Sequence, residues 1–225
     1  MNNISKGYTL ETFYARIYAL VGLGVAVSAL VSFISITMFT ENIVNILSRG
    51  TWVILVLWLI EMAFVIFIGP LAVANSPLAL PAFIGFSAIN GITLTFTLAY
   101  FSLTSIVVAF AITSGMFFGL AAFGRVTKRN LSATGKAMFA ALIGIIIASL
   151  VNVFIQSSVF DFIISIVSVI VFSGLIAWDN QRIKDLYGQL NGDVTDGWAV
   201  SMALSLYLDF VNLFISILRL FGYNK

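Results

Sequence analysis

Seven long apolar stretches dominate this sequence of 225 residues. A helix that crosses the hydrocarbon core of a bilayer needs about 20 predominantly apolar residues. We predict seven such spans, at approximately 17–39, 51–73, 78–101, 105–124, 137–155, 160–178 and 198–221. Because the connections between them are short, residues 1–225 are predicted to form a single transmembrane domain, an all-α integral membrane bundle.

The composition supports this prediction and excludes several classes of function. Only 9% of the residues are charged, against roughly 25% in a soluble domain, so a water-facing surface cannot be built for a chain of this size. Cysteine and histidine are absent, which excludes disulfides and catalysis by Ser-His or Cys-His pairs. The net charge is +2 and there is no basic run, so a nucleic-acid partner is not expected. No cofactor is predicted either, and the predicted partner is the lipid bilayer.

The positions of lysine and arginine predict the orientation of the chain in the membrane. The N-terminal segment lacks the features of a signal peptide, so the first span is expected to be a retained anchor. With the N-terminus in the cytoplasm, most basic residues lie inside, namely Lys6, Arg16, Arg125, Lys128, Arg129, Lys136, Arg182 and Lys184. The basic residues left outside are Arg49, Arg219 and Lys225. The C-terminus is then predicted outside, unless the last helix is re-entrant.

Small and polar residues inside the spans predict helix packing. Gly115, Gly119 and Gly124 have the spacing that allows helix backbones to approach closely, either within one bundle or in a dimer. In the third span, Asn90 and Thr93 are expected to hydrogen-bond their own backbone or a neighbouring helix, a structural role.

The last span contains polar side chains along a single face. At about 100° per residue, they fall in one sector roughly 80° wide. They are Ser201, Ser205, Asp209, Asn212, Ser216 and Arg219. A span with one polar stripe belongs among other helices, with the stripe toward a polar pathway. Asp209 and Arg219 are about 15 Å apart along the axis and cannot pair, so Asp209 needs another partner or a proton.

Three acidic residues are candidate partners for Asp209. Glu61 lies in the middle of the second span, Asp161 at the start of the sixth, and Asp179 at the end of the sixth. Asp179 can meet Asp209 only if the two carboxylates lie at similar depth. The remaining acids near the spans are read as ordinary solvated residues, a group that includes Asp161, Asp185, Asp193 and Asp196.

Two carboxylates that meet in a poorly solvated site cannot both ionise cheaply, so they share a proton and titrate as a unit. Such a pair also supplies hard oxygen ligands that a calcium ion could occupy. Asp179 and Asp209 are therefore a candidate proton-sensitive and metal-binding pair, with Glu61, Ser205, Asn212 and Ser216 as supporting polar residues.

Several blocks of the chain resemble the Bax inhibitor-1 family of membrane proteins, including its bacterial branch. The most specific block is "MALSLYLDFVNLFISILRLFG" at 202–222. Supporting blocks are "WDNQRIK" at 178–184, "NGITLTF" at 90–96, "TKRNLS" at 127–132 and the glutamate of "LIEMA" in the second span.

This resemblance implies a seven-helix bundle with the last helix at its centre. The lack of a long targeting sequence and of lumenal domains favours a bacterial inner membrane, with a eukaryotic intracellular membrane as the alternative. Family members of this type are pH-sensitive calcium leak channels whose paired aspartates correspond to Asp179 and Asp209, and whose second-helix acid corresponds to Glu61. Calcium is then the transported or bound ion. Calcium-leak members of the bacterial branch also carry an arginine beyond the second-helix acid that latches the pair. Here the stretch "FIGPLAVANSP" at 67–77 has no basic residue, so this latch is not carried over.

Two other functions remain open on the sequence alone. One is a non-conducting membrane protein that regulates membrane proteolysis or a stress response through contacts with other membrane proteins. The other is an intramembrane aspartyl protease, which also uses two aspartates on neighbouring helices. Asp209 follows "LYL" rather than the Gly-x-Gly of that enzyme class, and the later Pro-Ala-Leu element is absent.

Overall fold

A computed structural model describes residues 8–39, 41, 45 and 52–222, with the side chain of Ile54 left out. Seven long helices lie in this part of the chain. They are α1 (Leu10–Met38), α2 (Trp52–Val73), α3 (Ala79–Leu98), α4 (Leu103–Val126), α5 (Ser132–Ile155), α6 (Ser158–Gln189) and α7 (Asp196–Phe221). Some predictions fall outside the described residues, namely those on Lys6, Arg49, Thr51 and Lys225.

All seven helices are long and apolar enough to cross a membrane. Because the described residues form no strand, the all-α prediction with seven spanning helices is confirmed. In α7, 72% of the residues in the most apolar 18-residue stretch are buried, against 0% to 44% in the other six. This burial agrees with the predicted central position of the last helix.

The largest departures from the predicted spans are at the start of α1 and at the end of α6. α1 begins at Leu10, where the side chain of Thr9 accepts a hydrogen bond from the backbone N–H of Thr12 and caps the helix. α6 continues to Gln189 and ends before Asn191 and Gly192, both of which have positive φ. Hydropathy locates the apolar part of a helix, whereas capping and positive-φ residues decide where the helix ends.

The chain divides into two compact units. The first contains Met1–Tyr100 and Asp185–Tyr207, and the second contains Phe101–Lys184 and Leu208–Lys225. Of the three boundaries between the units, one falls between α3 and α4, one inside α6 and one inside α7. In the first unit, α3 packs against both α1 and α2. The single transmembrane domain stays a prediction.

The glycines of α4 differ in what they contact. Gly124 meets the backbone oxygen of Ala177 and the side chain of Asn180 with no room for a Cβ atom, as close packing predicts. Gly115 and Gly119 are exposed, and a Cβ on either would meet nothing within 4 Å. Packing within the bundle was therefore the wrong expectation for these two. The reason is geometric, because Gly124 lies about 140° around the helix from Gly119.

This difference gives a matched pair of variants. Gly124→Ala is expected to destabilise the protein by about 1 to 3 kcal/mol, because the new methyl group would overlap the backbone of α6. Gly115→Ala is expected to be neutral or stabilising by up to about 1 kcal/mol, since alanine favours the helix and meets no neighbour. Thermal unfolding in detergent measures both. Equal loss of stability in the two variants would contradict the assignment of Gly124 to a close helix contact.

Candidate functional site: a buried pair of carboxylates

Asp179 on α6 and Asp209 on α7 both belong to the second unit, and each is only 6% exposed. The two carboxyl groups are close enough for the charge of Asp179 to act on Asp209. The Oδ2 atom of Asp209 is buried and has no hydrogen-bond partner among the described residues. The structure therefore brings together the two aspartates that the sequence singles out, and it leaves one carboxylate oxygen unpaired.

Asp179 lies in an enclosed part of α6, well before the end of the helix. Asp179 lies inside α6, which continues for three further turns to Gln189, rather than at the end of the helix. The turn around it is enclosed, because Ile176, Asn180 and Ile183 are all fully buried. The amide of Asn180 donates to the backbone oxygen of Ile176 at 2.7 Å, so it is occupied within its own helix. Both carboxylates consequently sit in the interior of long helices.

Arg182 reaches one member of the pair, Asp179. Its Nη1 atom lies 3.8 Å from Oδ1 of Asp179, one turn earlier in the same helix. The guanidinium also lies over the ring of Trp178, 5.6 Å from the ring centroid. Because 47% of the Arg182 side chain is exposed and the ion pair is long, the attraction is weak. Arg182 thus acts on Asp179 from the segment that the sequence predicts to be cytoplasmic.

The hydrogen bonds of Asn212 and Ser216, two other members of the polar stripe, stay within α7. Asn212 donates to the oxygen of Leu208 at 2.8 Å, and Ser216 donates to the oxygen of Asn212 at 2.7 Å, so both bond their own helix. Ser205 is half-buried. These side chains can still offer lone pairs to an ion or a water molecule.

Asp161 has a partner that the sequence analysis did not foresee. Arg219 Nη1 donates to its Oδ1 at 2.9 Å, which joins the beginning of α6 to the end of α7. The reading of Asp161 as an ordinary solvated residue is therefore incomplete, although 38% of its side chain is exposed. Of the three candidate partners of Asp209, this one is engaged elsewhere.

The other loop acids are exposed, as predicted, but Asp196 is not isolated. Its Oδ1 accepts from the phenol of Tyr8 and from Nε of Arg16, the latter at 3.1 Å. Burial and the hydrogen bond to Asp196 raise the pKa of the Tyr8 phenol. These contacts fasten the segment before α1 to the start of α7.

Glu61, the remaining candidate, makes its hydrogen bond within the first unit. It is 8% exposed and accepts from Nδ2 of Asn90 at 3.2 Å, with Thr93 beside the same carboxyl. The Oδ1 atom of Asn90 accepts in turn from Tyr207 at 2.8 Å, and Tyr207 Oη lies 2.6 Å from Oγ of Ser28. The structural role expected of Asn90 is consistent with these contacts.

Sequence reasoning missed Tyr207 and Ser28 as members of this polar chain. The available signal was their polar atoms, since a hydroxyl inside an apolar span must find a partner within the protein. That rule does not say which partner, because either residue could have bonded its own helix.

A metal ion bound at Asp179 and Asp209 would have two carboxylates as protein ligands. The described residues contain no group of three or more acidic side chains that could hold a metal. Calcium takes six to eight oxygen ligands, so carbonyl oxygens or water would have to complete its shell. Such a site suits weak and reversible binding rather than storage.

Comparison with known proteins identifies the family. A family model described as "Inhibitor of apoptosis-promoting Bax1" matches residues 10–225, which is nearly the whole chain. The chain belongs to the Bax inhibitor-1 family. The resemblance drawn from its sequence blocks is thereby confirmed.

The relatives are bacterial proteins of nearly the same length. The chain is 53% identical over 213 residues to the uncharacterized protein YrjE of Lactococcus lactis, covering 95% of this chain and 91% of that protein. It is 49% identical over 215 residues to an uncharacterized membrane protein of Streptococcus pyogenes serotype M1, covering 96% and 94%. It is 33% identical over 220 residues to the inner membrane protein YbhL of Escherichia coli K12, covering 96% and 93%. Together with the seven apolar helices, these relatives support an integral membrane protein.

The repulsion between Asp179 and Asp209 can be tested by measuring how thermal stability changes with pH. At alkaline pH, where both carboxylates would be ionised, Asp179 repels Asp209 and the unpaired Oδ2 gains no compensation. We expect wild type to lose more thermal stability than Asp209→Asn when the pH is raised from neutral, with a difference on the order of 1 kcal/mol.

Asp161→Asn is the matched control. It removes a partly exposed ion pair with Arg219, so it should cost less than about 1 kcal/mol, an amount that shrinks at high salt. If Asp209→Asn followed the same pH profile as wild type, the two aspartates would not be electrostatically coupled.

Proposed function

We propose that this protein is a proton-regulated calcium leak channel of the bacterial inner membrane, in which Asp179 and Asp209 form the sensor and the ion-binding point of the pathway. Membership of the Bax inhibitor-1 family is consistent with the proposal. The single observation that carries it is the buried Oδ2 of Asp209, which has no hydrogen-bond partner beside a second buried carboxylate.

An unpaired carboxylate oxygen in such a place needs either a proton or a cation. Leaving it bare costs the full desolvation of a charged acceptor. A proton shared between Asp179 and Asp209 removes their repulsion and forms a hydrogen bond between them. A divalent cation also removes the repulsion, because it neutralises the charges of both carboxylates. Protons and calcium therefore compete for one site, which couples ion passage to pH.

The modest number of carboxylates at the site suits a leak. Conduction requires an ion to bind well enough to enter and weakly enough to leave. Two carboxylates with Asn212 and Ser216 further along α7 supply a short series of oxygen atoms rather than a closed cage. Calcium is proposed as the ion because these are hard oxygen donors.

We place the Asp179 end of the pathway on the cytoplasmic side, with the N-terminus inside and the C-terminus outside. Basic residues after α4 and near the end of α6 support this orientation. They are Arg125, Lys128, Arg129, Lys136, Arg182 and Lys184. In the absence of the second-helix arginine, Arg182 is proposed to take over part of the electrostatic hold on the pair.

Calcium flux into proteoliposomes tests the proposal. Wild type should pass calcium at a rate that changes with pH, and Asp209→Asn should lose most of that pH dependence because the shared proton is gone. Asp161→Asn, which alters a carboxylate outside the pair, should keep it. Flux that is indifferent both to pH and to Asp209→Asn would refute the sensor.

The flux assay, together with a search for partners and a cleavage assay, distinguishes the two other functions. Absence of flux, together with a stoichiometric membrane-protein partner, would assign the protein to regulation by contact. Cleavage of a membrane substrate that Asp209→Ala abolishes would assign the pair to proteolysis.

The role of Arg182 gives a finer prediction. Removing its charge in Arg182→Gln should move the pH dependence of flux to higher pH by about half a unit, because Asp179 then loses the cation that favours its ionised form. Lys184→Gln, which removes an exposed cation two residues later in the same helix, should leave the profile in place. Equal shifts in both variants would mean that general surface charge, not the contact with Asp179, sets the profile.

A further inference from the structure

A second buried carboxylate site lies in the first unit, centred on Glu61 of α2 and distinct from the aspartate pair. From Glu61 a chain of hydrogen bonds passes through Asn90 of α3 and Tyr207 of α7 to Ser28 of α1, with distances of 3.2, 2.8 and 2.6 Å between successive polar atoms. Beyond Ser28, its Oγ lies 2.7 Å from the backbone oxygen of Ser87. Four helices thus contribute to one polar chain.

The chain is held in place by packing. Tyr207 is fully buried, and the rings of Phe83 and Phe86 meet its ring edge-to-face at 5.7 and 5.9 Å between centroids. A Cβ atom at Gly24 would overlap the rings of Phe83 and Tyr207, so glycine is what lets α1 approach. The position of the phenol oxygen is therefore fixed to within a rotation of its hydrogen.

With Glu61 ionised, the protons between Glu61, Asn90 and Tyr207 point toward the carboxylate. The amide of Asn90 donates to Oε1 of Glu61, Tyr207 donates to Oδ1 of Asn90, and Ser28 can then donate to Tyr207. A serine hydroxyl has a single proton. It can go to Tyr207, to the oxygen of Ser87 at 2.7 Å or to the oxygen of Gly24 at 3.0 Å, so with Glu61 ionised the contacts of Ser28 with Tyr207 and with Ser87 cannot both be hydrogen bonds.

With Glu61 protonated, the same donor and acceptor atoms can form hydrogen bonds that run in the opposite direction, away from Glu61. The carboxyl proton is donated to the amide oxygen of Asn90 after a half-turn of the amide, whose nitrogen then donates to Tyr207. Tyr207 donates to Ser28, and Ser28 donates to the oxygen of Ser87. One proton has been added at Glu61 and none has left, yet the chain now contains four hydrogen bonds instead of three.

We infer that Glu61 is a second proton-binding site, and that its protonation reverses the hydrogen-bond chain through Asn90 and Tyr207 and allows Ser28 of α1 to bond both Tyr207 of α7 and the backbone of α3 at once. Proton binding in α2 thereby adds one hydrogen bond at Ser28, where α1 meets α3 and α7. This site works whether or not the aspartate pair conducts ions.

The groups that face Glu61 support a response to protons rather than to another charge. Asn90 and Thr93 act on the carboxyl from α3, and neither is charged. Tyr207 of α7 is a titratable group on the far side of Asn90, to which it donates at 2.8 Å. The ion pairs found among the described residues all involve other acids, namely Asp161, Asp179 and Asp196.

Infrared difference spectroscopy of the full-length protein in lipid nanodiscs tests this inference. Glutamate labelled with ¹³C reports the protonated carboxyl band, and Glu61→Gln identifies which part of that band belongs to Glu61. Wild type should show Glu61 passing from protonated to ionised as the pH is raised. Tyr207→Phe and Ser28→Ala each remove the extra hydrogen bond of the protonated arrangement. Each should therefore lower the pH of half-protonation by about 0.5 to 1 unit.

Ser32→Ala is the matched control. Ser32 lies one turn after Ser28 on α1 and donates to the backbone oxygen of Gly91 at 2.6 Å, so it makes the same kind of bond to α3 outside the chain. It should leave the Glu61 transition in place, and so should Asp209→Asn. Three results would overturn the inference. They are a Glu61 band that never changes with pH, a Ser28→Ala shift no larger than that of Ser32→Ala, or loss of the Glu61 transition in Asp209→Asn.

Discussion

The structure depends on the absence of water from the hydrocarbon region, because each polar group placed there must find its partner within the protein. This chain carries few such groups, and most of them meet the requirement locally. Thr113 and Thr95, for example, donate to carbonyl oxygens one turn earlier in their own helices. The carboxylates of Glu61 and Asp209 are not satisfied within their own helices, and each of them meets a group on a second helix.

Two solutions to that problem coexist. Glu61 is provided with a neutral donor, Asn90, and with a packed chain of hydroxyls behind it. Asp209 is given another acid instead, so burial and repulsion are left for a proton or a cation to relieve. The first arrangement gives the carboxyl group a hydrogen bond to Asn90 in either protonation state. The second leaves Oδ2 of Asp209 without a hydrogen-bond partner among the described residues, which is why the proposed ion site is the aspartate pair.

Much of the fold follows from hydropathy alone, since a long apolar run can only be a spanning helix in a chain with 9% charged residues. The polar stripe on the last span likewise identified Asp209 as a buried group. The ends of α1 and α6 were not predictable in this way, because residues outside the hydrocarbon can continue a helix without being apolar. The glycine repeat of α4 was misleading for the reason that spacing shows which residues share a face, not what that face meets.

The sequence by itself determined that this is an all-helical membrane protein with seven spans, and that Asp209 needs a partner beyond its own helix. Only the tertiary structure decided which acid takes which partner. It joined Asp209 to Asp179, Arg219 to Asp161 and Glu61 to Asn90. The physical reason is that helix periodicity specifies a direction for each side chain, whereas pairing depends on the relative height and rotation of two helices. Those are set by the packing of apolar side chains and glycines along the whole contact.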